Sequence, residues 1–138
     1  MTPLRPDWWR AYVGGAYLWR GRDPKAGVDC WGLYAHVLAH DFGRPVNDFG
    51  WAYPLDGDAG RDQARAFAAG EVTGWRQVEW EEGAAALFNV GAVPVHVGVC
   101  TTQRGIVLHA HRNAGVDLLD IDQSLKWKGR FVGCFLPR

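Results

Sequence analysis

The sequence predicts an α+β domain, with N-terminal helices packed on an antiparallel β-sheet. Apolar residues recur at helical spacing in the first half, as at Leu33, Tyr34, Val37 and Leu38. After Gly70 the period becomes that of strands. Helices that precede a run of strands, rather than alternate with them, favour antiparallel pairing. The 138 residues suit one domain, 1–138, with one core.

The elements follow in order. Asp7 caps a short helix over 8–13, which Gly14 and Gly15 stop. Tyr17-Leu18-Trp19 is apolar and aromatic, and 21–27 is a loop by its turn residues. The main helix runs over about 29–40, with Asp29 as N-cap and with Asp41, Gly43 and Pro45 marking its end. The stretch 43–60 is a long irregular loop, of the kind that in compact domains serves function or binding. An Ala-rich second helix spans 61–69 and ends at Gly70. Strands are predicted at 74–78 and at 84–88, the latter apolar on both faces, with a turn between them. A loop over 89–94 leads to a hairpin of 95–101 and 106–111. Strands at 116–119 and 130–136 complete the sheet.

Composition removes several classes of function. Lys+Arg and Asp+Glu both number 15, so the formal net charge is zero and no basic face for nucleic acid is expected. No apolar run is long enough to cross a bilayer. Met1 to Pro6 has no apolar core of a secretory signal, so synthesis in the cytoplasm without a signal peptide is expected. Cys30, Cys100 and Cys134 are an odd count, so at least one thiol is free; Cys100 and Cys134, in apolar strands, read as buried. Most of the eight tryptophans belong in the core, with an exposed subset among Trp8, Trp9, Trp51 or Trp80 marking a partner surface or a sugar-binding groove.

The chemistry starts at Gly27-Val28-Asp29-Cys30-Trp31-Gly32-Leu33. Cys30 falls on the first helical turn, where unpaired N–H groups and the helix dipole favour a thiolate. The alternative is a small buried apolar residue. On the first hairpin strand His96, Gly98 and Cys100 share a face; on the second Val107, His109 and His111 do. A loop of two or four residues sets Gly98 opposite His109 and His96 opposite His111, whereas an odd loop puts the two faces on opposite sides. In the even register His109 is a diagonal neighbour of His96, about 7–8 Å away. A thiolate, a base and a group that orients the base make up a cysteine hydrolase. His111 is either a strand-end surface residue or the third member in place of His109. His36 and His40 read as structural. His109 and His111 also have metal-ligand spacing, with Cys30 or His96 to complete a zinc site, but no carboxylate base lies beside them in sequence; no metal and no cofactor is expected.

These residues resemble the NlpC/P60 cysteine peptidases, in particular the short phage-tail and gene-transfer-agent type. Val28-Asp29-Cys30-Trp31-Gly32-Leu33 is similar to the D-C-[SW]-G-L nucleophile motif, and Val95-His96-Val97-Gly98-Val99 to H-V-G-[IV]. Ala16-Tyr17-Leu18-Trp19-Arg20-Gly21 is similar to P-Y-x-W-G-G, with Ala16 for Pro and Arg20 for Gly. Leu108-His109-Ala110 followed by Gly115-Val116 resembles the third-residue element. The resemblance implies a papain-like fold, with Cys30 as nucleophile, His96 as base and His109 as orienting residue. It implies that Tyr17 and Trp31 position substrate or line the oxyanion site; Trp31 stands where the wider family has Ser. The implied substrate is the stem peptide of peptidoglycan, often at γ-D-Glu–diaminopimelate. The implied partners are tail or baseplate proteins of a virion or phage-like tail tip. The alternative on the same fold is a structural tail-tip component with weak or no hydrolytic activity.

Overall fold

The computed structural model describes residues 6–44, 75–90, 93–112 and 114–137. A 3-10 turn, Trp8–Ala11, precedes a small hairpin of β1 (Arg22–Asp23) and β2 (Gly27–Val28). Helix α1 (Cys30–Asp41) follows. Then come β3 (Trp75–Val78), β4 (Ala85–Val90), β5 (Val93–Cys100), β6 (Ile106–His111) and β7 (Gly115–Asp120). One helical turn, α2 (Leu125–Lys128), leads into β8 (Phe131–Pro137). The six strands β3 to β8 form one antiparallel sheet in the order β3-β8-β4-β5-β6-β7. The α+β architecture is therefore the predicted one.

The sheet divides the core in two. Against one face packs α1, through Leu33, Tyr34, Val37 and Leu38, with Trp8 and Tyr12 beside it. These side chains meet Leu87, Val97, Val99, Leu108 and Ala110. The opposite face carries Phe88, Cys100, Val107, Trp127, Cys134 and Leu136. Strand β4 feeds both sides, with Ala85 and Leu87 on one and Ala86 and Phe88 on the other. That double burial is what its unbroken apolar run required.

Several expectations change. The helix over 8–13 is only the 3-10 turn: the Asp7 side chain makes no cap hydrogen bond and pairs with Arg10 at 3.8 Å instead. The loop over 21–27 contains the β1–β2 hairpin, turned by Ala26 N–H on Asp23 O at 3.0 Å. The loop over 89–94 is shorter than predicted, because β4 runs to Val90 and β5 starts at Val93. Pro94 is tolerated there beside a register shift at Phe88/Asn89, where one residue of a ladder drops out. Helix α2 was not predicted; Ser124 Oγ caps it by accepting from Trp127 N–H at 3.3 Å. The helix over 61–69 and most of the loop over 43–60 lie outside the described residues. Among the tryptophans offered as exposed, Trp8 is buried, Trp9 and Trp80 are half-buried, and Trp51 lies outside the described residues; among the tryptophans whose burial is described, Trp19 is the exposed one, at 50%. Among the described residues no helix is long and apolar enough to cross a membrane.

Candidate active site

Helix α1 begins where Asp29 makes it begin. Its carboxylate, 1% exposed, accepts from Gly32 N–H at 2.8 Å and so caps the first turn. It also accepts from Arg20 N–H at 2.9 Å and from Arg22 Nη1 at 3.2 Å. One residue thus ties the helix start to the upstream loop. Gly32 makes the same joint close: a Cβ there would run into Gly21 O. Arg20, which stands for Gly in the upstream motif, sits at φ 61°.

Cys30 is the first residue of α1, half-buried on the α1 side of the sheet. The helix end was expected to favour its thiolate. In the structure burial outweighs the helix end and pushes the thiol up to about 12, so the resting group is a neutral thiol. The N–H groups of Val97, Trp31 and Cys30 itself face the sulfur and oppose that rise.

The Val97 N–H is available for a reason of topology. Strands β5 and β6 pair only at Val99–Leu108 and Cys100–Val107. Cys100 turns its hydrogen bonds towards Gly83 and Ala84 on the β4 side, and Thr101 turns its N–H to Ile106 on the β6 side. By strand alternation Val97 faces the β6 side. There the β5–β6 pairing has already stopped, and the Val97 N–H meets the Cys30 sulfur instead of a β6 carbonyl.

The register is the even one of the sequence analysis. It sets His96 and His109 on one face, where Nε2 of His96 and Nδ1 of His109 share a hydrogen bond of 2.9 Å. Gly98 permits this closeness: a Cβ there would collide with Val107 Cγ1 and stand 3.4 Å from His109 Cβ. His111 is further off, its ring centre 6.3 Å from that of His96, so His109 is the partner of His96. Both bonded rings are buried, and burial drives both towards the neutral form. His96 falls well below the usual histidine range and His109 falls to about 4.

These rings lie on the face opposite α1, against Phe88 and Trp127. The structure brings His96 and His109 together; among the described residues no hydrogen bond joins Cys30 to either ring. The link between the two halves is Val97, whose N–H meets the sulfur and whose chain neighbour is His96. Nδ1 of His96 makes no hydrogen bond among the described residues.

Tyr17 is half-buried beside Cys30. Burial raises its phenol, Cys30 and Asp29 add to the rise, and the Arg112 guanidinium, hydrogen-bonded to it, opposes them. The Trp31 indole is 2% exposed in the α1-side core, and its main-chain N–H faces the sulfur. Two neighbours of the site carried no signal in the sequence. Trp127 stacks on His96 with ring centres 4.7 Å apart, and Arg112 reaches Tyr17. Neither sits in a periodic run or at a spacing with chemical meaning. As for a metal, among the described residues no three His, Cys, Asp or Glu side chains are grouped to hold one.

No protein-family model and no curated protein matches the chain. Solved structures do. The NlpC/p60 domain of the peptidoglycan hydrolase SagA superposes with a TM-score of 0.53 at 22% identity, over 83% of this chain and 84% of that one. An NlpC/P60 family protein from Bacillus cereus ATCC 10987 gives 0.65 at 16% identity, over 96% of this chain and 40% of that one. A lipoprotein-like member of the NLP/P60 family from Staphylococcus aureus subsp. aureus Mu50 gives 0.60 at 20%, over 92% and 38%. The chain thus spans about two fifths of the latter two proteins. What it shares with all three is the fold of NlpC/P60 domains.

Proposed function

We propose that this chain is a cysteine endopeptidase that cleaves the stem peptides of peptidoglycan. The observation that carries the proposal is the His96 Nε2···His109 Nδ1 bond of 2.9 Å, beside the one stretch of β5 whose N–H meets the Cys30 sulfur. The likeness of fold to the peptidoglycan hydrolase SagA supports the substrate class. Motif likeness at Asp29-Cys30-Trp31-Gly32-Leu33 supports carriage on a phage-like tail, with tail or baseplate proteins as partners.

In this reading thiol and imidazole start neutral, as burial leaves them. The mechanism needs the His96 ring to reach the Cys30 sulfur past Val97; its Nδ1 then takes the thiol proton as the sulfur attacks the amide carbonyl carbon. The N–H groups of Cys30 and Trp31 hold the oxyanion that forms. His109 keeps His96 turned to that task through Nε2. The imidazolium then protonates the leaving amine, and the C–N bond breaks to leave a thioester. Water, deprotonated by His96, hydrolyses it and restores the thiol.

The test is digestion of purified sacculi followed by mass spectrometry of the fragments. Cys30→Ala and His96→Ala abolish hydrolysis, and His109→Ala lowers it in part. Full activity of Cys30→Ala overturns the reading. A thiol held at about 12 favours one other reading, a tail-tip component in which the same fold serves assembly with weak or no hydrolysis. Intact sacculi after treatment with the wild-type chain decide for it.

A further inference from the structure

A pair of thiols lies away from Cys30. Cys100 ends β5 and Cys134 sits on β8, with β4 between the two strands. On that face Ala84 and Ala86 offer only methyl groups, and the two sulfurs meet at 3.7 Å. Both are free thiols, and Cys100 is fully buried.

Cys134 lines a cavity of about 350 Å³, within the size range of small-molecule sites, about 300–1,000 Å³. Trp80 and Phe131 line it too, with Arg104 from the β5–β6 turn, Glu79 after β3 and Asp122 after β7. The Trp80 indole N–H donates to Thr101 O at 2.9 Å, and its ring centre lies 6.5 Å from that of Phe131. Among the described residues, none of the walls comes from Cys30, His96 or His109.

The two thiols are not equivalent. Cys100 is the more deeply buried, so it keeps its proton and donates S–H to the sulfur of Cys134. That bond and the Arg104 guanidinium hold the Cys134 thiol below its ordinary range, against the opposing effect of burial. The same bond, with burial, pushes the Cys100 thiol up. Cys134 is therefore the nucleophile of the pair.

Arg104, Glu79 and Asp122 are exposed, and among the described residues no ion pair or side-chain hydrogen bond takes up any of them. A ligand that meets all three carries a carboxylate for Arg104 and an ammonium group for the two carboxylates. Thiolates exchange with disulfides without a further oxidant.

We propose that the cavity binds a small disulfide bearing both a carboxylate and an ammonium group, as cystine does, and that Cys134 exchanges with it to become a mixed disulfide. The Cys134 proton leaves to solvent, and its sulfur attacks one sulfur of the ligand. The ligand's S–S bond breaks, and the distal half departs with the electron pair as an aminothiol. Cys134 is oxidised as that half is reduced, and Cys100 stays a thiol. None of this uses Cys30, His96 or His109, so it stands apart from the peptidase reading.

The wild-type chain is incubated near neutral pH with cystine, with cystamine, which lacks the carboxylates, and with dithiodipropionate, which lacks the ammonium groups. Peptide mass spectrometry follows the adduct on Cys134. Each rate is divided by that of the same residue in the urea-unfolded chain, which removes the reagent's own reactivity. Cystine labels Cys134 ahead of Cys30 and Cys100, about fivefold faster than either relative, as one exposed ion pair gives. Arg104→Gln brings the advantage over cystamine to near unity. Glu79→Gln with Asp122→Asn does the same for dithiodipropionate. All three side chains are exposed, so these variants keep the fold. Cys100→Ala moves the pH profile of the Cys134 adduct upward, because the donor to its thiolate is gone. Equal relative rates for the three reagents, an adduct first on Cys30 or Cys100, or an advantage undiminished in Arg104→Gln overturns the site. So does a Cys100–Cys134 disulfide formed with no adduct, or a pH profile that Cys100→Ala leaves in place.

Discussion

The imidazole of His96 lies on the indole of Trp127, with ring centres 4.7 Å apart and planes inclined by 29°. The same indole meets His109 and His111 edge-on, at 5.6 and 5.5 Å. One aromatic side chain thus packs on all three imidazoles and adds to their burial. Burial is the chief reason His96 and His109 are held neutral.

Trp127→Ala removes that packing. Its loss costs about 3–5 kcal/mol of stability, as large-to-small changes in a packed core do. In the variant that still folds, water enters and the His96 titration moves up towards 6.5. Urea unfolding and an NMR titration of the imidazole protons check the two parts. Trp127→Phe keeps the stacking and most of the depression.

Acid destabilises the protein through the same rings. Unfolded histidine binds its proton near 6.5, whereas His109 in the fold binds it only near 4. Stability is therefore full above about pH 6.5 and falls between that value and about 4, by about 3 kcal/mol for His109 alone. Urea midpoints measured across this window check it, and His109→Asn flattens the slope. A midpoint that does not move between these pH values contradicts the burial argument.

Cys30 alkylates slowly in the resting protein. With its thiol held at about 12, the thiolate fraction rises about tenfold per pH unit through pH 7 to 9 with no plateau. Iodoacetamide labelling of Cys30, followed by peptide mass spectrometry, measures this. A plateau below pH 8 would show that the helix end wins over burial.

Asp29→Ala loses the cap on Gly32 N–H and the ion pair with Arg22. The cap alone is worth about 1 kcal/mol, and the broken buried pair adds to that. Asp29→Asn keeps the cap and costs less. Thermal unfolding orders the three chains as wild type, Asp29→Asn, Asp29→Ala.

Arg20→Gly stabilises. At φ 61° a side chain is crowded against its own carbonyl, which costs about 1–2 kcal/mol that glycine avoids. Part of this gain is offset by the greater freedom of glycine in the unfolded chain. A net rise in melting temperature is expected, with the Arg20 N–H bond to Asp29 kept.

Much of this was legible in the letters because it depends on neighbours along the chain. Asp29 before an apolar helical pattern announces a cap, and it caps. The four residues between Thr101 and Ile106 allow the even register, and it is the one found. The short helix at Trp8 failed because a cap needs its side chain turned inward, and Asp7 turns to Arg10. The single turn at 125–128 escaped because four residues carry too little periodicity to be seen.

The sequence by itself determined the order of elements and the α1 N-terminus under Cys30, and it set the faces on which His96 and His109 lie within their own strands. Each follows from local hydrogen bonding and from the two-residue period of a strand. Only the tertiary structure decided that Cys30 is a neutral thiol, that the rings lie across the sheet from α1, and that Trp127 packs on them. Those outcomes depend on how much water is excluded and on which distant segments meet. Burial and long-range contact are properties of the packed whole, and no stretch of the chain carries them alone.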